Sequence, residues 1–79
     1  MTELWEHPVE IKTGTAGDLK CIRNTREAVA SLAIDFPKGG PDVGTAKKAC
    51  LRAVSGAIPG DSAAAAFRIA AKSAGLLRE

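Results

Sequence analysis

At 79 residues the chain has room for one domain and one hydrophobic core. Of its 46% hydrophobic residues, 15 are Ala, and the larger apolar set of six Leu, five Ile, four Val, two Phe, Trp5 and Met1 supports only marginal stability, so self-association is expected to help. Residues 1–42 carry five Lys/Arg against seven Asp/Glu and residues 43–79 carry six against two, a segregation that suits an acidic partner, while the pI of 8.7 excludes the strongly basic class of nucleic-acid binders.

From the N-terminus, Met-Thr-Glu-Leu-Trp-Glu has acids where a secretory leader has bases, and no later stretch reaches the ~18 apolar residues of a membrane span. The expected location is the cytoplasm, with Cys21 and Cys50 reduced. Trp5 precedes the first strand, where it either caps one end of the core or serves as an exposed interface anchor. Alternation predicts a strand over 8–13, Gly14–Asp18 a turn, and 19–23 a second strand. A lone hairpin is barely stable in water, so its apolar face must lie on helices.

Asn24 and Glu27 have the spacing of a capping box and open a helix over 25–36, with Ala28, Val29, Leu32, Ala33 and Phe36 inward and Pro37 as its stop. After Lys38-Gly39-Gly40-Pro41, Asp42 or Thr45 caps a second helix over 43–57 that buries Ala46, Cys50, Ala53, Val54 and Ala57. Asp61 caps the third, 62–74, which turns Ala63, Ala66, Phe67, Ala70 and Ala74 inward. Gly75-Leu76 reads as a Schellman stop, and the residues after it have room for a short third strand. The fold class is therefore α+β, a single domain with an N-terminal β-hairpin packed on three α-helices.

The motifs that invite chemistry mostly resolve into structure. Gly39 to Thr45 has the glycine spacing of a phosphate loop, but Thr45-Ala46 stands where Lys-Ser/Thr is required and no strand leads into it. It reads as a helix–helix turn, with anion binding at the helix N-terminus as the lesser alternative. His7 reads as an exposed loop residue without a nucleophile or an orienting group. With Cys21 and Cys50 it makes at most three unpaired-spacing ligands, so no metal and no cofactor are expected. Cys50 reads as core.

Lys47, Lys48 and Arg52 have no acid between Asp42 and Asp61 to balance them, and Arg68 and Lys72 repeat the pattern at i and i+4. With Trp5 they form the candidate interaction surface. The expectation is a non-enzymatic protein-interaction module, self-associating as a homodimer. The alternative is weak nucleic-acid binding through the basic outer faces of the second and third helices, against which stand the lack of Tyr and of any aromatic near these side chains.

Several landmarks recur in a known order: Trp5 with Pro8-Val9, Ile22, Glu27-Ala28, the aromatic-Pro pair Phe36-Pro37, then Ala46, Cys50, Gly56, Ala66-Phe67, Ala70-Ala71 and Ala74-Gly75. In them the chain resembles the small bacterial domain-of-unknown-function family 982 along almost its whole length. Val43 departs from the family, where an aromatic is expected, and so does Ala64, where the family commonly has Arg. The family has no established activity, so the resemblance implies a fold and a bacterial cytoplasmic origin.

Overall fold

The computed structural model describes residues 4–13, 18–36 and 39–78. Strands β1 (Val9–Thr13) and β2 (Asp18–Ile22) pair antiparallel, with Val9 opposite Ile22 and Thr13 opposite Asp18. Most of the turn expected between them, and the Pro37 stop, lie outside the described residues. The alternation read from the sequence is realised: Val9, Ile11 and Ile22 are buried while Glu10, Lys12 and Cys21 face solvent. The room for a third strand is filled by a single bridge between Ile11 and Leu77. Lys12 N–H donates to the Leu76 carbonyl (2.7 Å) and Arg78 N–H to that of Glu10 (3.0 Å).

Helices α1 (Thr25–Ile34), α2 (Pro41–Val54) and α3 (Gly60–Ser73) follow, each shorter than expected or shifted at an end. The Asn24 cap is as read: its side chain accepts from Glu27 N–H at 2.8 Å, while the Glu27 carboxylate accepts from Arg23 N–H at 2.9 Å. That reaches one residue further back than a standard capping box. Asn24→Ala is expected to lower stability by about 1 kcal/mol, seen as a lower urea midpoint at unchanged slope.

The other two caps are corrected. Gly40 is the N-cap of α2 with Pro41 at its first turn, and Pro59 is the N-cap of α3. Proline's fixed φ favours the first helical position, so the helix begins earlier than the polar residue suggests. Asp42 and Asp61 instead lie in the first turn, where their charge meets the positive end of the helix dipole. Thr45 is a full turn inside α2 and donates to the Pro41 carbonyl (3.0 Å).

The C-terminal stops are sharper than the sequence suggests, since both α2 and α3 end in Schellman motifs. Leu76 N–H reaches the Ala71 carbonyl (2.9 Å) and Gly75 N–H that of Lys72 (3.1 Å), with Gly75 at φ 74°. The same pattern closes α2 at Gly56, φ 87°, with Ala57 N–H on the Arg52 carbonyl (2.8 Å). The expected helix to residue 57 therefore stops at Val54.

The core sits between the sheet's inner face and the helices. Phe67 is fully buried at its centre, with the Trp5 ring 5.8 Å away and the Phe36 ring edge-on at 5.7 Å. Helix α1 packs on β2 and α3 on β1, while α2 packs against both α1 and α3. The inner faces are narrower than expected: Val29, Ala33, Val54, Ala57 and Ala74 are exposed. Val43, Ala71, Thr25 and Ser31 are buried in their stead. Two strands cannot cover the full width of three helices, so each helix buries only its central stripe.

Candidate interaction surface

Small residues bring α2 and α3 together. Val43, Ala46 and Cys50 recur at three and four residues along α2 and meet Ala63, Phe67, Ala70 and Ala71 of α3. The start of α2 lies beside the end of α3, where the Ser73 hydroxyl donates to the Asp42 carboxylate. Burial pushes the Cys50 thiol up from 9.0 to about 11, as expected of a thiol used as a small hydrophobe.

With these faces committed to packing, the outer faces carry the charge. Lys47, Lys48, Arg52, Arg68 and Lys72 are all exposed. The ion pairs among the described residues are Lys20–Asp35 (3.1 Å), Arg23–Glu27 (3.8 Å) and Arg78–Glu10 (3.1 Å), so none of the five is neutralised there. Glu10, Glu27 and Asp35 of the N-terminal half are engaged in these pairs, and the surplus cations of α2 and α3 face water.

The five do not form one patch. Lys48 and Arg52, one turn apart, line a shallow depression of about 220 Å³ with Thr45, Ala49 and Ile58. Arg68 instead borders a cleft of about 440 Å³ with Glu6, His7, Asp61, Ala64 and Ala65. That gathering was not legible beforehand, because His7 and Arg68 are far apart in sequence and meet only through the fold. Lys47 heads a stripe with Leu51 and Val54, which are 61% and 52% exposed. On α3, Ile69 stands 57% exposed between Arg68 and Lys72. The sequence put Val54 inside, and the fold leaves it exposed.

Trp5 does not belong to this surface. It is 4% exposed and its indole N–H donates to the Thr25 hydroxyl at 3.2 Å, so it caps the core and is not an exposed anchor. The mouth at Gly39–Gly40 is lined by Pro41, Asp42, Val43, Ala70, Ser73 and Ala74, and the Asp42 carboxylate held there disfavours an anion. His7 is exposed, as read. Among the described residues no group of three His, Cys, Asp or Glu side chains is placed to hold a metal, and no helix is long and apolar enough to cross a membrane.

No curated protein and no solved structure matches the chain significantly. A family model described as a protein of unknown function (DUF982) matches residues 7–78, nearly the entire chain. The match takes in the landmarks from Pro8 onward, and the chain belongs to the DUF982 family.

Proposed function

We propose that this protein is a non-catalytic interaction module of the bacterial cytoplasm, able to self-associate, that presents the outer faces of α2 and α3 to an acidic partner protein. The observation that carries the reading is the pairing of unneutralised cations with exposed apolar side chains on those faces: Lys47 with Leu51 and Val54, and Arg68 and Lys72 with Ile69. Large apolar residues left in water beside unneutralised cations suit a partner segment with an apolar stripe and an acidic flank.

Nucleic acid fits less well. All three aromatics of the chain, Trp5, Phe36 and Phe67, are buried in the core, so none is free to stack on a base. Lys48 and Arg52 also line one depression and Arg68 another.

Affinity capture from the native cytoplasm, run in parallel with wild type and with the Leu51→Asp/Arg52→Glu variant, tests the reading. A protein retained by the wild type and lost by the variant, with a folded far-UV spectrum for both, is the expected result. Identical captures would refute it. Salt-sensitive shifts of Lys48, Arg52 and Arg68 resonances on titrating DNA, without a captured protein, would replace it with nucleic-acid binding.

A further inference from the structure

Among the described acids, Glu10, Glu27, Asp35 and Asp42 are each engaged by a cation, an N–H or a hydroxyl. Glu6, Asp18 and Asp61 are left without a side-chain partner. Two of these, Glu6 and Asp61, line the same cleft as Arg68 and the chain's single histidine, His7. Neither Arg68 nor His7 has a side-chain hydrogen bond or an ion pair. Groups of opposite sign therefore share one cleft without neutralising each other.

Helix α3 lays out the cleft. Asp61, Ala64, Ala65 and Arg68 recur at three and four residues, so they fall on one face of the helix. Arg68 follows Asp61 by two turns, about 10 Å along the axis. Long helical side chains lean toward the N-terminus, so Arg68 reaches back over the two alanines, whose methyls keep the floor low. Glu6 and His7 complete the lining from the segment before β1. That segment is held in place by Trp5, which is buried, with its backbone N–H on the Arg23 carbonyl (2.7 Å) and its indole N–H on the Thr25 hydroxyl (3.2 Å). The cleft's volume of about 440 Å³ lies within the roughly 300–1,000 Å³ of small-molecule sites, whereas the depression of Lys48 and Arg52, about 220 Å³, falls below it.

We propose that this cleft binds a small zwitterion of the dipeptide kind, its ammonium at the Asp61 and Glu6 carboxylates and its carboxylate at Arg68 and His7. A simple anion or cation meets like charge there as well as opposite charge, and a molecule carrying both signs pairs with both sets. Among the described residues no three His, Cys, Asp or Glu side chains are placed to hold a metal, so the acids suit an organic ammonium. The separation of Asp61 from Arg68 suits charged ends several ångströms apart, as a dipeptide has and a single α-amino acid does not. All four groups remain exposed to water, so each pairing is weak and binding is expected in the millimolar range. The proposal goes beyond the partner surface described above and does not depend on it; Arg68 is the one side chain common to both.

Glycylglycine titrated into the full chain at pH 7 and low salt, with the amide resonances of His7, Ala64 and Ala65 followed, tests the proposal. Saturable shifts at these positions are expected. N-acetylglycylglycine, which lacks the ammonium, and glycylglycinamide, which lacks the carboxylate, are each expected to bind about fivefold more weakly. Arg68→Gln and Asp61→Asn are expected to weaken glycylglycine binding by a similar factor. Both positions are exposed, so the far-UV spectra of these variants are expected to match that of the wild type. The Leu51→Asp/Arg52→Glu variant, altered outside the cleft, is expected to bind as the wild type does.

An absence of saturable shifts overturns the proposal. So does an affinity unchanged when either charge is removed from the dipeptide, which marks a contact that reads no charge. An affinity unchanged in Arg68→Gln and Asp61→Asn places the dipeptide elsewhere and overturns it too. Loss of binding in the Leu51→Asp/Arg52→Glu variant does the same, because the response then belongs to the partner surface.

Discussion

Phe67→Ala is expected to destabilise the domain by about 3–5 kcal/mol, the usual cost of emptying a fully buried phenylalanine site. Phe67 has no solvent exposure and touches both other aromatic rings, so its removal leaves Trp5 and Phe36 without their common neighbour. Whole domains are stabilised by only about 5–15 kcal/mol, and one of this size lies toward the lower end. The variant is therefore expected to show a urea midpoint reduced by a third or more, with loss of the near-UV signal of Trp5. Phe67→Leu, which keeps most of the volume, is expected to lose less than half as much. Equal midpoints for wild type and Phe67→Ala would mean that the aromatic cluster is not the centre of the core.

The second large effect is alkaline destabilisation through Cys50. In the folded chain the thiol is pushed up from 9.0 to about 11 by burial, whereas in the unfolded chain it titrates near its ordinary value. The folded state holds the proton more tightly, so this contribution to stability is complete below pH 9 and falls as the pH rises from there toward 11. Two pKa units correspond to about 2.7 kcal/mol. Denaturant titrations across that window are expected to show stability dropping for the wild type. Cys50→Ala, somewhat less stable at neutral pH, is expected to show a flatter profile. Parallel profiles for the two proteins would show that the thiol has no part in the alkaline loss. At pH 8 a thiol reagent is expected to label exposed Cys21 quickly and Cys50 only upon unfolding.

The sequence alone determined the kinds of element, their order and most of the core. Val9-Glu10-Ile11-Lys12 carries period 2, and Ala46 and Cys50, like Ala63, Phe67 and Ala70, fall on helical stripes. These signals are local: a strand or a helix must turn its apolar side chains to one face whatever it packs against. The Asn24 cap and the Gly75 stop were legible for the same reason, since each is satisfied within a few residues of chain. Proline displaced the cap of α2, because Pro41 begins its helix before the polar residue that looked like the signal.

What only the tertiary structure decided is how wide each buried stripe is and which surfaces are left over. Val29 and Val54 have the same local credentials as their buried neighbours, yet the packing of the elements leaves both exposed. Trp5 reads from the sequence as a cap of the core with an exposed anchor as the alternative, and its hydrogen bond to the Thr25 hydroxyl, twenty residues away, decides for the core. Arg68 shares a cleft with His7, and lies apart from the depression of Lys48 and Arg52, only because the chain returns on itself. Whether a strand is inner or outer depends on where the C-terminal segment docks, and it docks on β1.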